Sequence, residues 1–145
     1  MSEFILKTFF LCEDADALDR ALKLKDTIVS NCANQVSIEA CFCVFARLCH
    51  PRLKEIATDQ VADADMLVVS SSNKFGLPFF VQNWLAQAVP QKAKIACAVH
   101  MCDEPAGSVD DQFLQNWSKQ NGATYFSNHF PETNFNRAGF AAGNS

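Results

Sequence analysis

The sequence predicts one α/β domain of three layers, α/β/α, around a five-stranded parallel sheet of order 2-1-3-4-5. Three observations predict it. Apolar runs of strand length alternate with segments of helical periodicity from the first residues to about residue 130, the connections between them are short, and no repeat or long linker interrupts the series. The clearest unit is Ala62 to Val89, ADADMLVVSSSNKFGLPFFVQNWLAQAV. Met66 to Val69 form a buried-strand run, Ser70 to Gly76 a polar loop, and Pro78 opens a helix with Phe80, Val81, Trp84, Leu85, Ala88 and Val89 at helical spacing.

The other elements follow the same logic. Phe4 to Leu11 (FILKTFFL) reads as strand one, and Asp14 is placed to cap a helix of four to five turns carrying Leu18, Ala21, Leu22, Ile28, Val29 and Cys32 on one face. Val36 to about Phe45 begins with the alternation of a strand that has one wetter face, which suits a place near the sheet edge. Pro51 starts a short helix with Leu53, Ile56, Ala57 and Val61 on its buried side. Lys94 to Val99 (KIACAV) is strand four, and Ser108 with Asp111 resembles a capping arrangement for a helix whose stripe is Phe113, Leu114 and Trp117. Gly122 stops that helix, Ala123 to Phe126 is strand five, and from Ser127 the chain reads as a tail with isolated Phe130, Phe135 and Phe140. The domain is set at residues 1–130 and the tail at 131–145.

Composition excludes several classes of function. A chain of 145 residues buries a sizeable core without staples. A net charge of −4 and a pI near 5.2 argue against nucleic acid, whose binders present clustered basic faces. No apolar stretch approaches the roughly 20 residues of a membrane span, and Glu3 and Lys7 flank a short apolar run unlike a signal peptide, so a cytoplasmic protein is expected. The seven cysteines are odd in number and lie mostly in apolar runs such as EACFCVF and KIACAVH, as buried thiols do. Cys41 and Cys43 lack a second pair at zinc-site spacing, and no metal site is expected.

In a sheet of this order the loops after the strands share one edge, and the crevice at the switch between strands one and three is the place for a ligand. Cys12, Glu13 and Asp14 line one side of it and Ser70, Ser71, Ser72 and Asn73 the other, with His100 and Cys102 next door.

The stretch Ala62 to Val89 resembles the third strand, loop and helix of NADPH-dependent FMN reductases, which also run from an Ala-Asp pair through an apolar strand and polar loop to a helix-opening proline. The resemblance spans under a fifth of the chain and implies FMN against the loop. In that family a Gly, Ser and Thr-rich turn holds the flavin phosphate on its amides. Here the turn is Cys12-Glu13-Asp14-Ala15-Asp16, with no glycine before Gly76, and three carboxylates repel a phosphate.

Glu13-Asp14 is also similar to the acidic pair that holds Mg²⁺ in response-regulator receiver domains. The other receiver positions depart: Ser70 to Ser72 stand where the phosphoaccepting aspartate belongs, His100 where a Ser or Thr belongs, and Ser127 and Asn128 where a lysine belongs. A working phosphoacceptor is therefore excluded. From the first strand to about Phe130 the chain further resembles a group of small bacterial proteins of receiver-like shape. The likeness lies in the acidic turn, the Ala-Asp before strand three, and Leu77, Pro78, Val81, Trp84 and Leu85. It supports the flavodoxin-like, receiver-like fold and supplies no activity.

Cys12, His100, Cys102, His50 and His129 lack the spacing of a zinc site, and Glu13 and Asp14 disfavour a Cys12 thiolate. Trp84 and Trp117 are expected to pack on the sheet. Phe75, Phe79 and Phe80 exceed what one helix face buries, which predicts an exposed apolar patch of the kind that meets partners. The sequence thus reads as a non-catalytic, receiver-like module acting through a protein partner or a homodimer, without a cofactor. The alternative is an FMN-dependent oxidoreductase.

Overall fold

The structure, a computed structural model, describes residues 4–31, 36–71, 76–88, 94–102 and 109–129. Ser72, Asn73 and Phe75, the Ser108 half of the expected cap, and residues 131–145 lie outside them. Five parallel strands form one sheet of order β2-β1-β3-β4-β5: β1 (Phe4–Cys12), β2 (Val36–Val44), β3 (Met66–Ser70), β4 (Cys97–Cys102) and β5 (Thr124–His129). This is the order of the flavodoxin-like class.

β3 is central and buried on both faces, as its unbroken apolar run requires. One face carries Phe9, Leu11, Leu67, Val69 and Ala98 against α2 (Pro51–Ala62), α3 (Phe79–Asn83) and α4 (Val109–Gln120). The other carries Phe10, Cys12, Met66, Val68 and Met101 against α1 (Ala15–Asn31). Each fully buried Phe or Leu in these layers contributes roughly 1.5–3 kcal/mol of burial free energy. Phe10 stacks on Phe42 at 4.8 Å, and Phe9 meets Trp84 at 5.9 Å. Both tryptophans pack as expected, at 1% and 4% exposure.

Asp65 registers the amino-terminal ends of three strands. Its amide donates to Lys7 O, its carboxylate accepts from Lys7 N, and its carbonyl accepts from Ala96 N. The Lys7–Asp63 ion pair beside it, at 3.1 Å, is solvent-exposed and adds little.

Several boundaries differ from the sequence reading. β2 stops at Val44, and Phe45–Cys49 tighten into a 3₁₀ turn that buries Phe45 and Leu48. β4 begins three residues later than expected and runs through His100 to Cys102, because His100 finds polar partners inside the fold and so need not end the strand. β5 extends to His129, so Ser127 to His129 belong to the sheet and not to a tail. The helix opened by Pro78 is two pieces: α3, then a π turn over Trp84–Ala88.

Leu53 and Ile56 are exposed at 36% and 46%, Leu22 at 36% and Phe80 at 38%. The buried stripes are narrower than helical spacing predicts, carrying Ala57 and Val61 on α2 and Val81, Trp84 and Leu85 after Pro78.

Candidate functional site

Ser70 and Ser71 are consecutive residues of extended chain and so serve opposite faces of the sheet. On the α1 face, Ser70 Oγ donates to Ala17 O at 2.8 Å beside buried Cys12, its register partner. Two amides at the turn from β1 into α1 have partners close by. Glu13 N donates to Ser70 O at 2.9 Å, and Ala17 N donates to Asp14 Oδ1 at 2.9 Å, which makes Asp14 the expected helix cap. Arg20, one turn further along α1, donates from Nη2 to Ser71 O at 3.0 Å. Burial drives the Cys12 thiol up to about 12, with Cys43 and Asp14 adding to the rise and Arg20 opposing it. A thiol so placed is inert at neutral pH.

On the other face a buried polar chain crosses the ends of three strands. Ser71 Oγ lies 3.2 Å from His100 Nε2, and Ser71 N donates to Met101 O at 2.9 Å. His100 Nδ1 lies 3.6 Å from Asp111 Oδ1 on α4, and the Tyr125 hydroxyl of β5 donates a short hydrogen bond to that same oxygen. Burial, then the Asp111 carboxylate, raises the Tyr125 pKa well above the usual phenol range. Next to Asp111, Asp110 Oδ1 accepts from Leu77 N at 3.0 Å and pins the entry to α3. Gly76 stands at that entry with φ +74°, and a Cβ there would sit 3.4 Å from Asp110 Oδ1.

Ser71, His100 and Asp111 come in the order of nucleophile, base and orienting acid. Two features set them apart from a working triad. Ser71 and His100 have no exposed surface, and 3.6 Å is longer than a hydrogen bond. What the arrangement does physically is tie β3, β4, α4 and β5 together through groups that would be costly to bury alone.

The strand ends therefore hold two clusters, with Cys12, Glu13, Asp14 and Ser70 on one face and Ser71 and His100 on the other. Cys12 and His100, expected as neighbours, are separated by the sheet, so neither a thiol–imidazole pair nor a joint Cys/His ligand set forms between them. Among the described residues no group of three His, Cys, Asp or Glu side chains is placed to hold a metal ion. A cavity of about 210 Å³, bordered by Lys7, Glu39, Cys41, Gln60 and Asp63, lies toward the opposite end of the strands.

Sequence reasoning found Ser71 and His100 but missed Arg20, Asp110, Asp111 and Tyr125. Asp111, which the sequence offers as a capping acid with Ser108, is a buried acceptor of the Tyr125 hydroxyl, and Ser108 lies outside the described residues. At the same end of the sheet, α3 begins with Phe79 exposed at 74% and Phe80 at 38%. Trp84 Nε1 donates to Thr58 Oγ1 at 2.9 Å, which joins the α3 segment to α2.

No family model matches the chain, and no curated protein matches it. Among solved structures it is similar to a Streptococcus pneumonia TIGR4 flavodoxin, with a TM-score of 0.44, 11% identity, and coverage of 86% of this chain and 83% of that one. Among the described residues no helix is long and apolar enough to cross a membrane.

Proposed function

We propose that this chain is a non-catalytic, receiver-like binding module that acts through protein contacts, with the start of α3 as its contact face. The supporting observation is Phe79, a large aromatic held 74% exposed on an ordered helix end. It stands at the end of the sheet that buries Ser71, His100, Asp111 and Tyr125. An exposed aromatic next to half-exposed Phe80, with Leu53 and Ile56 in the same helical layer, is the composition of an interface core. At the entry to α1, where a flavin phosphate would rest, the Glu13 and Ala17 amides are bonded to Ser70 O and Asp14 Oδ1.

The test is a Phe79→Ser/Phe80→Ser protein compared with the parent by sedimentation velocity over a wide concentration range and by pull-down of partners. The reading expects the parent's association, with itself or with a partner, to weaken by about tenfold or more, the scale of losing one interface anchor. Unchanged association counts against it. The oxidoreductase alternative is tested on the same preparation: retained yellow colour, or thermal stabilisation by excess FMN, would favour it.

A further inference from the structure

We propose that the outer edge of β2 is a pairing surface for the β2 of a second copy of this chain, which joins two sheets into one across a two-fold axis. β2 is an end strand of the sheet, and among the described residues only β1 lies beside it. The outer backbone groups of an end strand are a template for another strand unless shortness, charge, proline or a bulge blunts them. β5, the other end, is six residues long and mostly polar, TYFSNH. β2 has nine residues, VSIEACFCV, with one charge and no proline, and it pairs with β1 residue for residue without a bulge. Its open edge spans roughly 30 Å.

The sequence of β2 is close to its own mirror about Ala40, and this selects the occupant. A two-fold axis normal to the sheet runs the two strands antiparallel and keeps each face of the sheet continuous. Opposed residues then share a face, so the axis passes through a residue position and not between two. Placed at Ala40, it gives all nine residues a partner: Ala40 lies opposite Ala40, Ile38 opposite Phe42, Ser37 opposite Cys43 and Glu39 opposite Cys41. Any other centre leaves residues at the strand ends unpaired. A centre at Glu39 also sets two carboxylates opposite each other, which is destabilising.

The centre at Ala40 is also the one that chemistry favours. The single charge of the strand then lies opposite a thiol and stays in register with Lys7 of its own copy. Ile38 and Phe42 are half-buried, and Phe42 already stacks on Phe10. A β-branched residue opposite an aromatic one is a favourable cross-strand pair, and the symmetry supplies it twice. An unrelated strand has to match this pattern by its own sequence; a second copy matches it by symmetry.

The experiment follows dimerisation of the full chain by sedimentation velocity up to millimolar concentration, with two variants at one half-buried position. Cys41→Glu sets a carboxylate opposite Glu39 at two symmetric places and is expected to weaken the dimer about tenfold. Cys41→Lys sets the opposite charge there and is expected to tighten it by a similar factor. A monomeric parent, or two variants that shift alike, would overturn the proposal. The contact face at the start of α3 uses other residues, so the dimer is expected to survive Phe79→Ser/Phe80→Ser. Its loss in that protein would assign the dimer to α3 and contradict the edge pairing. A second measurement introduces no charge: Ala40→Cys in a Cys41→Ser chain, oxidised mildly and mapped by tandem mass spectrometry. The Cα atoms of opposed residues lie about 4.5–5.5 Å apart, within the range of about 4.4–6.8 Å that a disulfide spans. A covalent dimer linked through position 40 supports the proposal. No link, or links through the native cysteines alone, contradicts it.

Discussion

At the scale of single residues the chain spends its polar chemistry inward. Asp111 is 7% exposed and accepts from the Tyr125 hydroxyl, so Tyr125→Phe leaves a buried acceptor short of a donor. The expected loss is about 1–3 kcal/mol, read as a lower urea midpoint with an unchanged slope. Gly76→Ala is expected to cost about 1–2 kcal/mol, since φ +74° there places an added Cβ in left-handed backbone against Asp110.

Burial raises the pKa of Cys12, Cys43, Cys97 and Tyr125. A folded-state pKa above the unfolded one gives stability that is complete below the unfolded value, about 8.5 for a thiol. That stability is lost as pH rises through the folded value, about 12 for Cys12. Urea midpoints should therefore fall from about pH 9 upward, and the fall should be shallower in Cys12→Val. A flat profile to pH 11 would contradict the burial of these groups. Ser71 and His100 were legible as strand-end residues from the sequence. Asp111 and Tyr125 were not, because only the β4-α4-β5 crossover brings the strand-five hydroxyl to an acid in the first turn of α4.

Elements with one dominant signal were legible, and those set by tertiary contacts were not. Pro51 opens α2 and Gly122, at φ +71°, closes α4, because each residue's backbone geometry decides the matter locally. The segment after Pro78 carries a continuous helical stripe, yet it divides into α3 and a π turn. Trp84 must reach Thr58 and Phe9, while Leu85 O must face Trp117 Nε1, 2.6 Å away. Widening one turn satisfies both. Trp84→Ala removes a 1%-exposed side chain from this junction and should cost about 3–5 kcal/mol. Phe79→Ser, on a side chain 74% exposed, should change stability by no more than about 0.5 kcal/mol. Thermal unfolding of the two variants side by side checks this contrast between core and surface.

At the scale of the molecule, the order β2-β1-β3-β4-β5 follows from alternation and short right-handed crossovers, and the sequence carries both. What the sequence could not carry is which side of the sheet each strand-end residue serves. That depends on register: a shift of one residue moves a side chain to the other face, and the pairing of His100 with Val69 decides where His100 lies. The β1–α1 turn was legible as acidic and helix-capping, and in the structure the Glu13 amide donates to Ser70 O and the Ala17 amide to Asp14 Oδ1.

The proposed binding module turns on that acidic turn holding no flavin phosphate, and the most direct test is thermal unfolding of the purified full chain across FMN from micromolar to millimolar. An unchanged midpoint is expected throughout. Saturable stabilisation, which at one hundred times Kd amounts to about 2.7 kcal/mol, would contradict it and return the strand-end crevice to a flavin.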